Sequence, residues 1–236
     1  MALRDDIADF AQDVIETEYE ITDAYQVPFR SGVTFGPTAR KLFARVVYID
    51  LRGSTRLLTE GDQLISLRAH KAFLYAVARC MRAEGGEPRG FAGDSVLGFF
   101  PGRDKDVSCR AVRAAMKIRS AIDDVINPIL VNELGHILDY GIGIGQGDVL
   151  VGKSGMSGEE DFQDLVWIGY AVYRAVEFGQ RASKPSALWI SEHVRKSINH
   201  DSSLTHDDDE PMWEKAVEPL PSAKVTVYKT AYRWGI

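Results

Sequence analysis

Apolar positions recur at helical spacing near the start of the chain. Ile7, Phe10, Val14 and Ile15 predict an amphipathic helix over residues 4–20, which either caps its own domain or serves as a dimer contact or regulatory arm. Pro28, Gly32, Gly36 and Pro37 then mark a connector. From residue 43 the pattern becomes regular. FARVVYID (43–50) predicts a strand, and LRGST turns from it into a helix. Leu64, Leu67, Phe73, Leu74, Val77 and Met81 predict a long helix over 64–83 that ends at Gly85-Gly86. PRGFAGDSVLGFF (88–100) reads as two short strands about a Gly93-Asp94 turn, and 104–126 as a second helix. YGIGIGQGDVLV (140–151) predicts a glycine-rich strand and its hairpin partner. A helix over 170–182 and strands at 187–190 and 225–230 complete the pattern. The order β-α-β-β-α-β is that of a ferredoxin-like split βαβ core, an α+β class. It divides the chain into a helix and connector, 1–40, and one compact domain, 41–236.

Composition limits the functions open to such a domain. Of 236 residues, 45% are hydrophobic, enough for a full core. No apolar run approaches bilayer length, and acids stand in the first segment where a signal peptide carries basic residues, so no membrane partner is expected. Cys80 and Cys109 match no metal or redox spacing and read as buried thiols of a cytoplasmic protein. A net charge of −6 argues against a nucleic-acid partner. The stretch 200–210, ending in DDDE, reads as a solvated acidic loop.

One motif points to nucleotides for the wrong reason. Residues 147–154, GDVLVGKS, match the phosphate-binding pattern GxxxxGK(S/T). That loop needs small, free residues between its glycines and a helix beginning at the lysine. Here Asp148-Val149-Leu150-Val151 favours a pleated strand, and the segment after Ser154 has no helical period. The match is expected to be a strand.

Two carboxylates carry more chemistry. Asp50 ends the first core strand, before the small turn Leu51-Arg52-Gly53-Ser54-Thr55; Asp94 lies in the following hairpin. In a ferredoxin-like sheet the two strands are neighbours, so both acids reach one edge. Paired carboxylates beside a helix N-terminus suit two hard divalent cations and a triphosphate.

FARVVYIDLRGST and GFAGDSVLGFF, followed by YGIGIGQGDVLVGKSG and DLVWIGYAVYRAVEFGQRAS, resemble the catalytic domain of class III nucleotidyl cyclases over about residues 43–230. The resemblance implies that Asp50, Asp94 and the Leu51 carbonyl bind two divalent cations, Mn²⁺ or Mg²⁺. It implies that the amides of Gly53, Ser54 and Thr55 cradle a nucleoside triphosphate, with Lys224 as a further phosphate contact. It also implies a head-to-tail homodimer with shared active sites.

The departures from the family concern the base and the ribose. Purine cyclases place a base-reading lysine four residues before the second aspartate, where this chain has Gly90. They place Asp or Thr where it has Val166, and an asparagine and an arginine where it has Tyr173 and Glu177. Arg174, or Arg181 one helical turn beyond Glu177, can supply the transition-state cation, and Tyr173 can meet base or ribose. Metal residues kept and purine readers replaced resemble the pyrimidine cyclases of bacterial antiphage signalling (Pycsar type). Their product, cyclic UMP or cyclic CMP, implies a downstream cyclic-nucleotide-sensing effector. Arg89, beside Gly90, can donate to a uracil O4, which favours UTP over CTP. Two other readings stay open from sequence: a conventional adenylate or guanylate cyclase, and a catalytically dead cyclase-homology domain.

Overall fold

The computed structural model describes residues 3–60, 62–204, 211–221 and 223–236. Helix α1 (Leu3–Glu16) leads through β1 (Glu20–Ala24) to the long strand β2 (Thr38–Arg52). After it come α2 (Ser54–Glu60), α3 (Gln63–Ala83), and a hairpin of β3 (Glu87–Ala92) and β4 (Ser95–Pro101). Helix α4 (Lys105–Ser120) runs through a π-helical turn, Ala121–Ile126, into α5 (Asn127–Leu134). Then follow β5 (Asp139–Gly155), β6 (Gln163–Ile168), α6 (Tyr170–Arg181), β7 (Leu188–Ser191), α7 (Glu192–Ser197), β8 (Glu214–Pro219) and β9 (Lys224–Thr230).

One mixed sheet has the order β3-β4-β2-β5-β7-β9-β8. Its first four strands are the split βαβ arrangement expected from the pattern. The two central strands are long enough to take partners in succession. β2 pairs in parallel with β1 through 38–42 and antiparallel with β4 through 44–50. β5 pairs in parallel with β7 at 142–144 and antiparallel with β6 at 150–155. Along most of their length β2 and β5 pair with each other, from Arg40↔Val151 to Arg52↔Asp139.

Side chains alternate across this sheet, and each face meets different helices. Val47, Ile49, Val96, Phe100, Ile142 and Ile144 point toward α3 and α4 and form the main core. On the other face Ala44, Val46, Phe99, Val149 and Val151 pack with Ala171 and Ala175 of α6. The glycines of GIGIGQG explain how α6 lies so close. A Cβ at Gly141, Gly143 or Gly145 would sit 2.1–2.2 Å from the carbonyl oxygens of Gly179, Ala175 or Ala171. Ile142 and Ile144, between them, face the main core and are fully buried.

Three expectations change. YGIGIGQGDVLV is one continuous strand, not a strand and its partner, because β2 pairs with it on both sides of Gln146. Its hairpin partner is DLVWI in β6, which the sequence pattern left unassigned. The connector before residue 43 contains β1, and β2 starts at Thr38. As expected, GDVLVGKS lies wholly within β5. Both cysteines are free and buried. Of the acidic stretch ending in DDDE, residues 205–210 lie outside the described residues. Among the described residues no helix is long and apolar enough to cross a membrane.

Candidate active site

The end of β2 brings the two aspartates together. Asp50 stands opposite Ser95, the residue after Asp94, in the β2–β4 ladder. The Leu51 N–H donates to the Asp94 carbonyl at 3.1 Å, which fixes the hairpin turn against the strand end. Gly93, φ +62°, supplies the left-handed backbone that turn requires. Both carboxylates are half-buried.

Their electrostatics fit bound cations. Burial, and then the neighbouring Asp94, push the Asp50 carboxyl above its ordinary value; a hydrogen bond from Tyr48 and the charge of Arg52 oppose that rise. No ion pair engages either aspartate among the described residues. No third His, Cys, Asp or Glu joins them there. The chain thus offers two carboxylates and the Leu51 carbonyl, a hard-oxygen set that substrate phosphates and water can complete, as is usual for Mg²⁺ and Mn²⁺.

Beyond Leu51 the chain turns sharply. Gly53 has φ +69°, and its carbonyl accepts from the Leu57 N–H at 3.3 Å as α2 begins at Ser54. Thr55 follows in the first turn of α2; its side chain lies outside the described residues. A pocket of about 430 Å³ opens beside this turn, lined by Arg52, Gly53, Leu57, His136, Ile137 and Asp139.

Arg52, which the motif reading passed over, joins this edge to α6. Its Nη2 donates to the carbonyls of Gly179 at 3.0 Å and Gln180 at 2.6 Å. Tyr48, two residues before Asp50 on the same face, packs on the same turn of α6. A Cβ on Gly179 would lie 2.5 Å from its Cδ1.

Helix α6 carries the remaining candidates on several faces. Glu177, at the position where the family has its arginine, is buried, and its Oε2 accepts from Arg174 Nη1 at 2.7 Å. The acid therefore holds the guanidinium one helical turn before it. Arg181 is exposed and donates to the Pro219 carbonyl on β8 at 2.9 Å. Tyr173 is 43% exposed. Lys224 is exposed at the start of β9, opposite Pro219.

The base-reading positions are not brought together within one chain. Gly90 faces Leu97, where a Cβ would meet the leucine Cβ at 3.2 Å. Arg89 is held by Glu87 at 2.9 Å and by the Pro28 carbonyl, with its guanidinium 4.3 Å from the Phe29 ring centre. Val166 points away from that surface, into a pocket of about 420 Å³ that it shares with Phe10 and Val14 of α1 and with Leu150 and Ile168. Its neighbour Trp167 faces the other way and stacks on Phe99 at 4.1 Å. Alternation along a strand explains this placement, since adjacent residues take opposite faces.

No protein-family model matches the chain. It is 32% identical over 241 residues to a uridylate cyclase of Xanthomonas perforans, covering all of both chains. It is 27% identical over 240 residues to a uridylate cyclase of Burkholderia cepacia, again covering all of both. Among solved structures, the guanylyl cyclase Cya2 superposes with a TM-score of 0.67 at 21% identity, over 82% of this chain and 94% of that one, which shows a shared fold.

Proposed function

Since the chain belongs to the uridylate cyclase family and is a nucleotidyl cyclase, we propose that it converts UTP to the 3′,5′-cyclic monophosphate and pyrophosphate. The observation that carries this reading is the carboxylate pair Asp50 and Asp94, set at one strand edge, where the nearby purine-reading position holds Gly90 in place of lysine. Strong discrimination between bases needs groups that hydrogen-bond the preferred one, and the lysine that serves a purine is missing here. The change therefore alters the base and leaves the phosphate chemistry in place. The names of both full-length relatives favour uracil over cytosine.

In the reaction the 3′-hydroxyl oxygen bonds to the α-phosphorus, the bond to the β-phosphate bridge breaks, and the hydroxyl proton passes to solvent. Two divalent cations, Mn²⁺ or Mg²⁺, supply acidification of that hydroxyl and neutralisation of phosphate charge when bound. Asp50, Asp94 and the Leu51 carbonyl would hold them. The amides of Gly53, Ser54 and Thr55, at the start of α2, orient the triphosphate. Arg174, aimed by buried Glu177, meets the charge that develops on the α-phosphate and leaving group; Arg181 is the second candidate. Tyr173 is exposed on the same helix and contacts base or ribose; Gly90 stays the candidate for the base region, while Val166, turned into the α1 pocket, and Arg89, engaged by Glu87 and Phe29, are not placed with it. Lys224 is a further phosphate contact.

The active unit in this reading is a head-to-tail homodimer in which one chain supplies Asp50 and Asp94 and the other supplies α6. Support comes from the resemblance to class III cyclases, which implies sites shared between two chains. Dilution to monomer then abolishes turnover, and a monomer with full specific activity excludes the shared site. The cyclic nucleotide serves as a second messenger in antiphage defence, read by a cyclic-nucleotide-sensing effector. Phage challenge of cells carrying the wild-type or Asp50→Ala chain checks that role.

The decisive experiment incubates the protein with UTP, CTP, ATP and GTP separately, with Mn²⁺, and identifies products by mass. Cyclic UMP as the main product, absent with Asp50→Ala, is the expected result. Cyclic CMP would reverse the choice of pyrimidine, and cyclic AMP or GMP would return the base readers to purine recognition. No product from any nucleotide would leave the dead-domain reading.

A further inference from the structure

Within one chain the two half-sites are physically joined. Asp50 and Arg52 lie two residues apart on the face of β2 that α6 covers. Across the ladder from Asp50 is Gly141, whose bare α-carbon lies against the Gly179 and Ala182 carbonyls. The C-terminal turn of α6 therefore ends beside the carboxylate edge. This is the negative end of a helix dipole, and it lies beside Asp50. Arg52 joins the two: its guanidinium takes the Gly179 and Gln180 carbonyls, and it leaves β2 two residues after Asp50 on the same face. Tyr48 makes a second link: it stands two residues before Asp50 on the same face of β2 and packs on Gly179.

We propose that Arg52 is a positioning residue that couples the two active sites of the dimer, by tying the cation-binding edge of one site to the α6 that serves the other. The inference rests on the shared-site reading given above. Arg52 clamps α6 five residues beyond Arg174, so its loss frees the helix C-terminus and lets its carbonyls repel the carboxylates. The guanidinium of Arg174 then loses its fixed relation to a substrate held by the other chain. The two centres consequently respond to each other: a nucleotide seated on Asp50 in one site shifts, through Arg52, the helix that acts in the second.

Mixed dimers test this directly. One chain carries Asp50→Ala and can supply only α6; the other carries Arg174→Ala and Arg181→Ala and can supply only the cation-binding edge. Separately tagged and co-purified, the pair should regain one working site, while each parent homodimer stays inactive. Arg52→Gln is then placed in the Asp50→Ala chain, whose own cation edge is already dead. Coupling predicts that kcat of the mixed dimer falls at least tenfold with KM changed less than threefold, and that Arg52→Lys, which keeps a cation at the helix end, recovers part of it. Unchanged kcat with Arg52→Gln in that chain would overturn the proposal and leave Arg52 a role only in its own cation edge. Equal loss with Gln and Lys, accompanied by a lowered melting temperature, would overturn it in favour of general destabilisation. If the unmodified mixed dimer shows no recovery over its parents, the shared-site reading itself fails, and this inference with it.

Discussion

The cation edge and helix α6 are built by different means. Asp50 and Asp94 are placed by backbone: a strand register, one N–H to carbonyl bond at 3.1 Å, and a glycine with positive φ. Short side chains then need no further support. Arg174 and Arg181 are long, and their positions depend on what each guanidinium finds, a buried carboxylate in one case and a carbonyl of β8 in the other. The edge has one geometry dictated locally. The helix offers its arginines different anchors, a carboxylate three residues on for Arg174 and a strand 38 residues on for Arg181.

The strongest way to test that contrast is at the edge itself. Asp50→Ala and Asp94→Ala should each lower kcat/KM by about 10³-fold or more without changing the circular dichroism spectrum. Chelation of divalent cations should silence the wild type as fully, with Mn²⁺ or Mg²⁺ restoring it. An active Asp94→Ala enzyme would show that the hairpin acid only shapes the turn.

On the helix, Arg174→Ala should cost roughly 10²-fold in kcat, and Arg181→Ala less than about tenfold. Arg174 also neutralises a buried acid, so the double variant Arg174→Ala/Glu177→Gln separates the two roles. It removes the stranded charge and should restore the melting temperature while kcat stays low. Recovery of kcat would assign Arg174 to folding alone.

A methyl group probes the contact between the two regions. Gly143→Ala places its Cβ 2.1 Å from the Ala175 carbonyl and should cost about 1–3 kcal/mol of stability as α6 is lifted. Urea melts measure this, and kcat should fall with it, because Arg174 sits on the lifted helix. The smallest effect concerns pH. Burial raises the Cys109 thiol from 9.0 to about 11 and raises the Tyr140 hydroxyl above its usual value, so the folded state retains protons that the unfolded chain releases. Stability is full below pH 9 and is lost as pH rises toward 11. Melting temperature should drop by roughly 5 °C over that interval, and less in Cys109→Ala.

The same contrast explains what sequence could reveal. Strand-turn-helix at Asp50 and the Gly93-Asp94 hairpin are local, so their pattern is written in adjacent residues. Helix α6 was legible too, bounded by Gly169 and the apolar stripe through Phe178. β5 was misread because Gly145-Gln146-Gly147 looks like a turn when isolated; only the facing strand keeps it extended. Short elements such as β1, β6 and β8 lack enough residues to show a period. Arg52 carried no signal at all, since its partners lie 127 and 128 residues away and are backbone carbonyls, which any residue type provides.

The glycine alternation in β5 also governs how the chain can change over generations. Where side chains fill a core, one residue may shrink as its neighbour grows, because volume can be traded. At Gly141, Gly143 and Gly145 backbone rests on backbone, and there is no volume to trade. These positions admit a single letter, while Ile142 and Ile144 between them admit other aliphatic letters of similar size. A library randomised over 141–145 and selected for cyclase activity would return a sequence logo of alternating certainty and freedom. That two-residue rhythm is the imprint of a helix on a strand it touches without side chains.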